Sequence, residues 1–107
     1  MQQLSPQQLK DWLDDASKPA PVLLDVREPW EFGTCHLPQA LPMPMQTVPA
    51  RLAELQAAAA HVVICHHGSR SQQVAMFLER NGFGEVFNLA GGLDAWSRTV
   101  DPTLARY

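Results

Sequence analysis

Three short apolar runs constrain this chain more than any other feature: Val22-Leu23-Leu24-Asp25-Val26, Val62-Val63-Ile64 and Val86-Phe87-Asn88-Leu89. Each has the length of a strand and is apolar on successive residues, as a strand buried on both faces must be. Between them lie stretches with helical spacing. Ser5-Pro6 reads as a helix start, with Leu9, Trp12, Leu13 and Ala16 on one face, and Ser17 to Pro21 as the turn that ends it. Glu28 to Phe32 reads as a short helical turn. Prolines 38, 42, 44 and 49 exclude a long helix between Cys35 and Pro49 and leave a loop with a short strand near Ala40 to Met43. Thr47 is expected to cap a helix whose Val48, Leu52, Leu55 and Ala59 share a face. A further helix runs from about Ser69 to Asn81 with Gly82 at its end, and a last one from Leu93 to Arg98.

Strands alternating with helices require right-handed crossovers. The expectation is therefore an α/β fold of three layers, with a central parallel sheet of about four to five short strands and helices on both faces. At 107 residues the chain has room for one core, so residues 1–107 are read as a single domain. Hydrophobic residues make up 46%, which is too apolar for disorder. The net charge of -3 offers no basic footprint, so neither nucleic acid nor an anionic membrane is an expected partner. The N-terminus has no signal-peptide pattern, and the longest apolar stretch, Ala57 to Ile64, is far too short to span a bilayer. The expected location is the cytoplasm. Cys35 and Cys65 are too few for a disulfide scaffold, so each is either a buried spectator or a reagent.

In parallel α/β sheets ligands bind beyond the carboxyl ends of the strands. Cys65 stands at such an end, followed by His66-His67-Gly68-Ser69-Arg70-Ser71 and then a helix. A strand–loop–helix of this kind turns backbone N–H groups and a helix N-terminus toward one point. A cysteine sulfur placed there is favoured as thiolate, and a thiolate is a nucleophile. Gly68 permits the tight loop, and Arg70 adds a permanent positive charge.

Several segments, in order, carry a family resemblance. Leu24-Asp25-Val26-Arg27-Glu28-Pro29-Trp30-Glu31-Phe32 is similar to a DVRxPxEF segment, and His36-Leu37-Pro38 with Ala40 to a GHIPGA segment. Cys65 to Ser71 matches a CxxGxRS loop, Gly82-Phe83 with Val86 a GF…V segment, and Gly91 to Trp96 a GGxxxW segment. Together they resemble a single-domain rhodanese-like sulfurtransferase. The resemblance implies that Cys65 takes a sulfane sulfur from a donor such as thiosulfate or a persulfide, becomes a persulfide, and passes the sulfur to a thiol or protein acceptor. It implies no metal and no organic cofactor. His66, His67, Gly68, Ser69 and Arg70 would bind substrate, with Arg70 attracting an anionic donor. Asp25, Arg27 and Ser71 would support the loop, and Asp25 with Arg27 reads foremost as a structural ion pair. Trp30, Phe32 and Trp96 read as packing residues.

Two positions depart from the family pattern: Cys35 and Gln39 stand where it has glycine. Cys35 could serve as a resolving thiol that attacks the Cys65 persulfide. Three other readings compete. A phosphatase or arsenate reductase on the same fold would also use Cys and Arg, but only four residues separate Cys65 from Arg70, against five in the tyrosine phosphatases. A binding module without catalysis would not need Cys65. A metal site at Cys35-His36 and Cys65-His66-His67 has suitable ligands in a spacing that matches no zinc signature.

Overall fold

The computed structural model describes residues 1–107. In chain order the elements are β1 (Gln2–Leu4), α1 (Pro6–Asp14), β2 (Val22–Asp25), α2 (Pro29–Thr34), β3 (Leu41–Pro42), α3 (Val48–Arg51), β4 (Ala60–Ile64), α4 (Ser69–Arg80), β5 (Glu85–Leu89) and α5 (Gly92–Thr99). The five strands form one sheet in the order β1-β5-β4-β2-β3, and every neighbouring pair is parallel. This is the α/β architecture expected from the apolar runs.

Alternation along the central strands divides the core in two, because successive strand residues point to opposite faces. Leu24, Val63 and Cys65 pack with Val48 of α3 and Val74, Ala75 and Leu78 of α4. Leu23, Val62 and Ile64 pack on the other face with Leu9 of α1 and Leu93 and Trp96 of α5. Helix α1 begins with a capping box: Ser5 Oγ accepts from the Gln8 N–H at 3.1 Å, and Gln8 Oε1 accepts from the Ser5 N–H at 2.8 Å. No helix is long and apolar enough to cross a membrane.

Three expectations need correction. Strand β1 had no apolar signal, because its Gln2 and Gln3 sit on the sheet edge; it is fixed by its pairing with β5, Gln2 opposite Phe87 and Leu4 opposite Leu89. The helix expected from Thr47 to Ala59 is broken up. One α turn is flanked by 3₁₀ turns at Met45–Thr47 and Leu52–Glu54, and the chain then turns directly into β4. Thr47 does not cap it; its hydroxyl donates back to Pro44 O at 2.7 Å. Trp30 is not a packing residue of the core: it is 64% exposed, and Phe32 is half-buried, stacked on His36 at 4.0 Å. Helix α2 packs through Glu31 instead, whose carboxylate is needed elsewhere.

The two departures from glycine behave differently. Cys35 is extended, with φ at -163°, a conformation any residue adopts. Gln39 has φ of +68°, the only non-glycine in the left-handed region. Such a conformation costs about 1–2 kcal/mol for an L-residue with a side chain, partly offset by glycine's greater unfolded-state entropy. Gln39→Gly is therefore expected to stabilise the protein by about 0.5–1 kcal/mol, read as a higher urea midpoint at constant slope.

Candidate active site

Cys65 follows the last residue of β4, and Asp25 ends the neighbouring β2 opposite Ile64, so both stand at the carboxyl edge of the sheet. The Cys65 side chain is buried, 1% exposed. Its Sγ accepts from the Gly68 N–H at 3.0 Å and the Ser71 N–H at 3.3 Å, and lies 3.2 Å from Ser71 Oγ. Gly68 makes this possible with φ of +101°, turning the chain so that its own N–H and the first turn of α4 face the sulfur.

The loop is held from behind. The Leu93 N–H donates to Cys65 O at 2.9 Å and the Asp94 N–H to His66 O at 3.0 Å. The first turn of α5 thus occupies the two carbonyls, leaving loop N–H groups for the sulfur. Asn88, 2% exposed on β5, ties the far side: its Nδ2 donates to Gly68 O at 3.1 Å and its Oδ1 accepts from the Ser71 hydroxyl at 2.5 Å.

A cysteine sulfur in a cradle of N–H donors, on this parallel sheet, is the constellation that the sequence segments pointed to, and comparison with known families decides its kinship. The rhodanese-like domain model matches residues 5–99. The chain belongs to the rhodanese-like family. A sulfurtransferase of Allochromatium vinosum is 38% identical over 84 residues, 78% of each chain. A probable adenylyltransferase/sulfurtransferase, MoeZ, of Mycobacterium tuberculosis is 32% identical over 106 residues; the match covers 97% of this chain but 26% of that protein. A rhodanese-like domain protein from Staphylococcus aureus superposes with a TM-score of 0.85 at 31% identity, covering 100% of this chain and 99% of that one.

Around the sulfur, this rhodanese-like chain carries one buried ion pair and one half-buried pair. Arg27, with a fully buried side chain, gives Asp25 Oδ1 its Nε at 2.9 Å and Oδ2 its Nη2 at 2.7 Å, and also donates to Cys35 O at 2.6 Å. Its pKa is raised above the usual arginine value; burial opposes the charge, and the bonds to Asp25 and Tyr107 outweigh it. Arg27→Lys keeps the charge but loses the planar fork. It is expected to cost about 2 kcal/mol in chemical denaturation, because a carboxylate oxygen and a carbonyl are left without their donors.

Arg70 does not stand free to attract an anion. It makes a two-pronged pair with Glu31, at 2.6 Å and 2.9 Å. The bond from Arg70 holds the Glu31 carboxyl down at about 2, against burial, with further help from Tyr107 and the Glu28 N–H. The tail then returns over the site. Tyr107 OH donates to Glu31 Oε2 at 2.7 Å and accepts from Arg27 Nη1 at 3.0 Å, and its ring lies 4.2 Å from that of His66. Burial pushes the Tyr107 hydroxyl up to about 12, so it stays protonated and able to donate.

The remaining expected site residues are placed as follows. His66 is half-buried with its Nδ1 unpartnered, and burial and the neighbouring His67 lower its pKa. His67 and Ser69 are exposed, at a polar hollow of about 290 Å³ on the outer side of the loop. His66, His67 and Asp94 each bring one ligand atom within 4.8 Å of the others, but Asp94 already accepts from Arg98 at 2.8 Å. Neither cysteine joins that cluster. Cys35 is a free thiol with Sγ 3.9 Å from Arg27 Nη1, and it lines a small cavity with His66 and Tyr107.

Glu31, Asn88 and Tyr107 were not singled out from sequence. Asn88 had a signal, a polar residue inside an apolar strand. Glu31 had a weaker one, a fourth charge following Asp25, Arg27 and Glu28. Tyr107 had none, because its partners lie 76 and 80 residues away.

Proposed function

We propose that this chain transfers sulfane sulfur through a persulfide on Cys65. The observation that carries the reading is the sulfur itself, buried at a strand end and met by the Gly68 and Ser71 N–H groups. Those donors favour negative charge on the Cys65 sulfur and, after attack, on the persulfide it carries. The Cys65 thiolate attacks the sulfane sulfur, the donor's S–S bond breaks, and the leaving group departs with the bonding pair. A thiol acceptor then takes the outer sulfur and returns Cys65.

Ser71 fits a supporting role in both protonation states. With its proton on Asn88 Oδ1 it accepts from the Cys65 thiol; turned, it donates to the thiolate. His66 lies at the mouth, and Asp25 with Arg27 fixes the adjoining backbone. Cys35 remains the candidate resolving thiol. The sulfurtransferase names of the relatives from A. vinosum and M. tuberculosis support the reaction class. A persulfide enzyme without a disulfide fits a reducing compartment such as the cytoplasm.

The test is a panel of thiosulfate and organic persulfide donors with cyanide and thiol acceptors, run beside an aryl phosphate. Turnover of a sulfane donor with no phosphate release is expected. Phosphate release without sulfur transfer would replace this reading with a phosphatase.

A further inference from the structure

The charges around Cys65 are matched almost one for one. Arg27 is paired with Asp25, and Arg70 with Glu31. Asp94 is paired with Arg98 at the rim. Arg106 lines the cavity beside Tyr107 and has no carboxylate partner. Cys65 does not line that cavity, so Arg106 stands apart from the sulfur. The cavity itself, between Cys35, His66 and Tyr107, is about 10 Å³, room for a single water at most.

The possible donors differ in charge. With thiosulfate, the Cys65 thiolate attacks the outer sulfur, the bond to the sulfonate sulfur breaks, and sulfite leaves with the electron pair. Thiolate and donor are together trianionic, and so are the Cys65 persulfide anion and sulfite. With an organic persulfide, R–S–SH, the thiolate attacks the terminal sulfur and the inner sulfur leaves as the R–S thiolate. The terminal proton stays on the new Cys65–S–SH, and the assembly is monoanionic throughout. A site whose arginines are each neutralised by a buried carboxylate has no surplus side-chain charge to offset a trianion.

We infer that Glu31 is a specificity-determining residue: by pinning and neutralising Arg70 beside Cys65, it selects a low-charge organic persulfide over thiosulfate as the sulfur donor. The inference rests on the sulfur-transfer reading and narrows its substrate class. Glu31 acts through Arg70, which directly precedes Ser71, whose N–H lies 3.3 Å from the Cys65 sulfur. Tyr107 strengthens the effect, because its hydroxyl bonds the same Glu31 oxygen that Arg70 Nη2 holds.

The experiment measures kcat/KM for Cys65 persulfidation by thiosulfate and by mercaptoethanol persulfide, in wild type and Glu31→Gln, at low and high salt. Wild type is expected to favour the organic persulfide by at least about tenfold, with a thiosulfate rate nearly flat in salt. Glu31→Gln is expected to raise the thiosulfate-to-persulfide ratio about tenfold, as one uncompensated charge beside the site would. Its thiosulfate rate should then fall steeply with salt, which loosened packing alone would not produce. The wild-type donor ratio and salt slope decide the matter even if the variant folds poorly. Wild type using thiosulfate as well as the persulfide, or an unmoved ratio in folded Glu31→Gln, overturns the inference. No Cys65 persulfide from either donor overturns the sulfur-transfer reading beneath it.

Discussion

Cys65→Ser is expected to lower sulfur transfer at least about a thousandfold, to the uncatalysed background. The loss follows from the chemistry of the atom. A serine hydroxyl in the same cradle ionises far too weakly to attack a sulfane sulfur, and oxygen cannot hold a persulfide. The fold should tolerate the change. Serine is slightly smaller than cysteine, and its Oγ can accept the same bonds from the Gly68 and Ser71 N–H groups that Sγ now accepts. An unfolding midpoint close to wild type, together with lost turnover, separates a missing nucleophile from a collapsed loop. Retained turnover would remove Cys65 from the mechanism.

The second large effect is structural and lies outside the loop. Gly92→Ala is expected to destabilise the protein by about 4 kcal/mol or prevent folding, and to disable the site with it. The added Cβ would stand within 2.5 Å of Cys65 O and of His66 C, and closer still to His66 O. All three are backbone atoms of the Cys65 loop, so no side chain can swing away. The residue also has φ of +61°, unfavourable for any side chain. Relief would require α5 to retreat from the loop, giving up the Leu93 and Asp94 N–H bonds to those carbonyls. Chemical denaturation measures the effect. Gly33→Ala, whose Cβ meets nothing within 4 Å, is the control that should leave the site intact. A Gly92→Ala protein with wild-type stability would contradict the packing described for the loop.

The sheet was legible because both-sided burial leaves an unambiguous mark. Leu23-Leu24 and Val62-Val63-Ile64 send alternate residues into two separate cores, and no polar residue interrupts them. Strand β1 was illegible for the converse reason: an edge strand held by backbone pairing needs no apolar residue, and Gln2 and Gln3 are exposed. Spacing along Thr47 to Ala59 misled because four apolar residues at helical intervals also suit a chain that turns twice before entering β4. At the site, Cys65, Gly68 and Ser71 could be read from their order before a helix. The counter-ion of Arg70 could not, since Glu31 comes from another element, and neither could Tyr107, which reaches the site only once the tail has folded back. Local sequence marks the cysteine and its cradle; the charge balance that surrounds them is a property of the folded chain.

The most direct test of the account is the intact mass of the protein after brief exposure to a sulfane donor, thiosulfate and an organic persulfide each in turn, followed by peptide mapping. The account predicts one added sulfur atom, mapped to Cys65, that a thiol acceptor removes and that is absent from Cys65→Ser. An unmodified wild-type protein with every donor, or a sulfur carried only on Cys35, would contradict it.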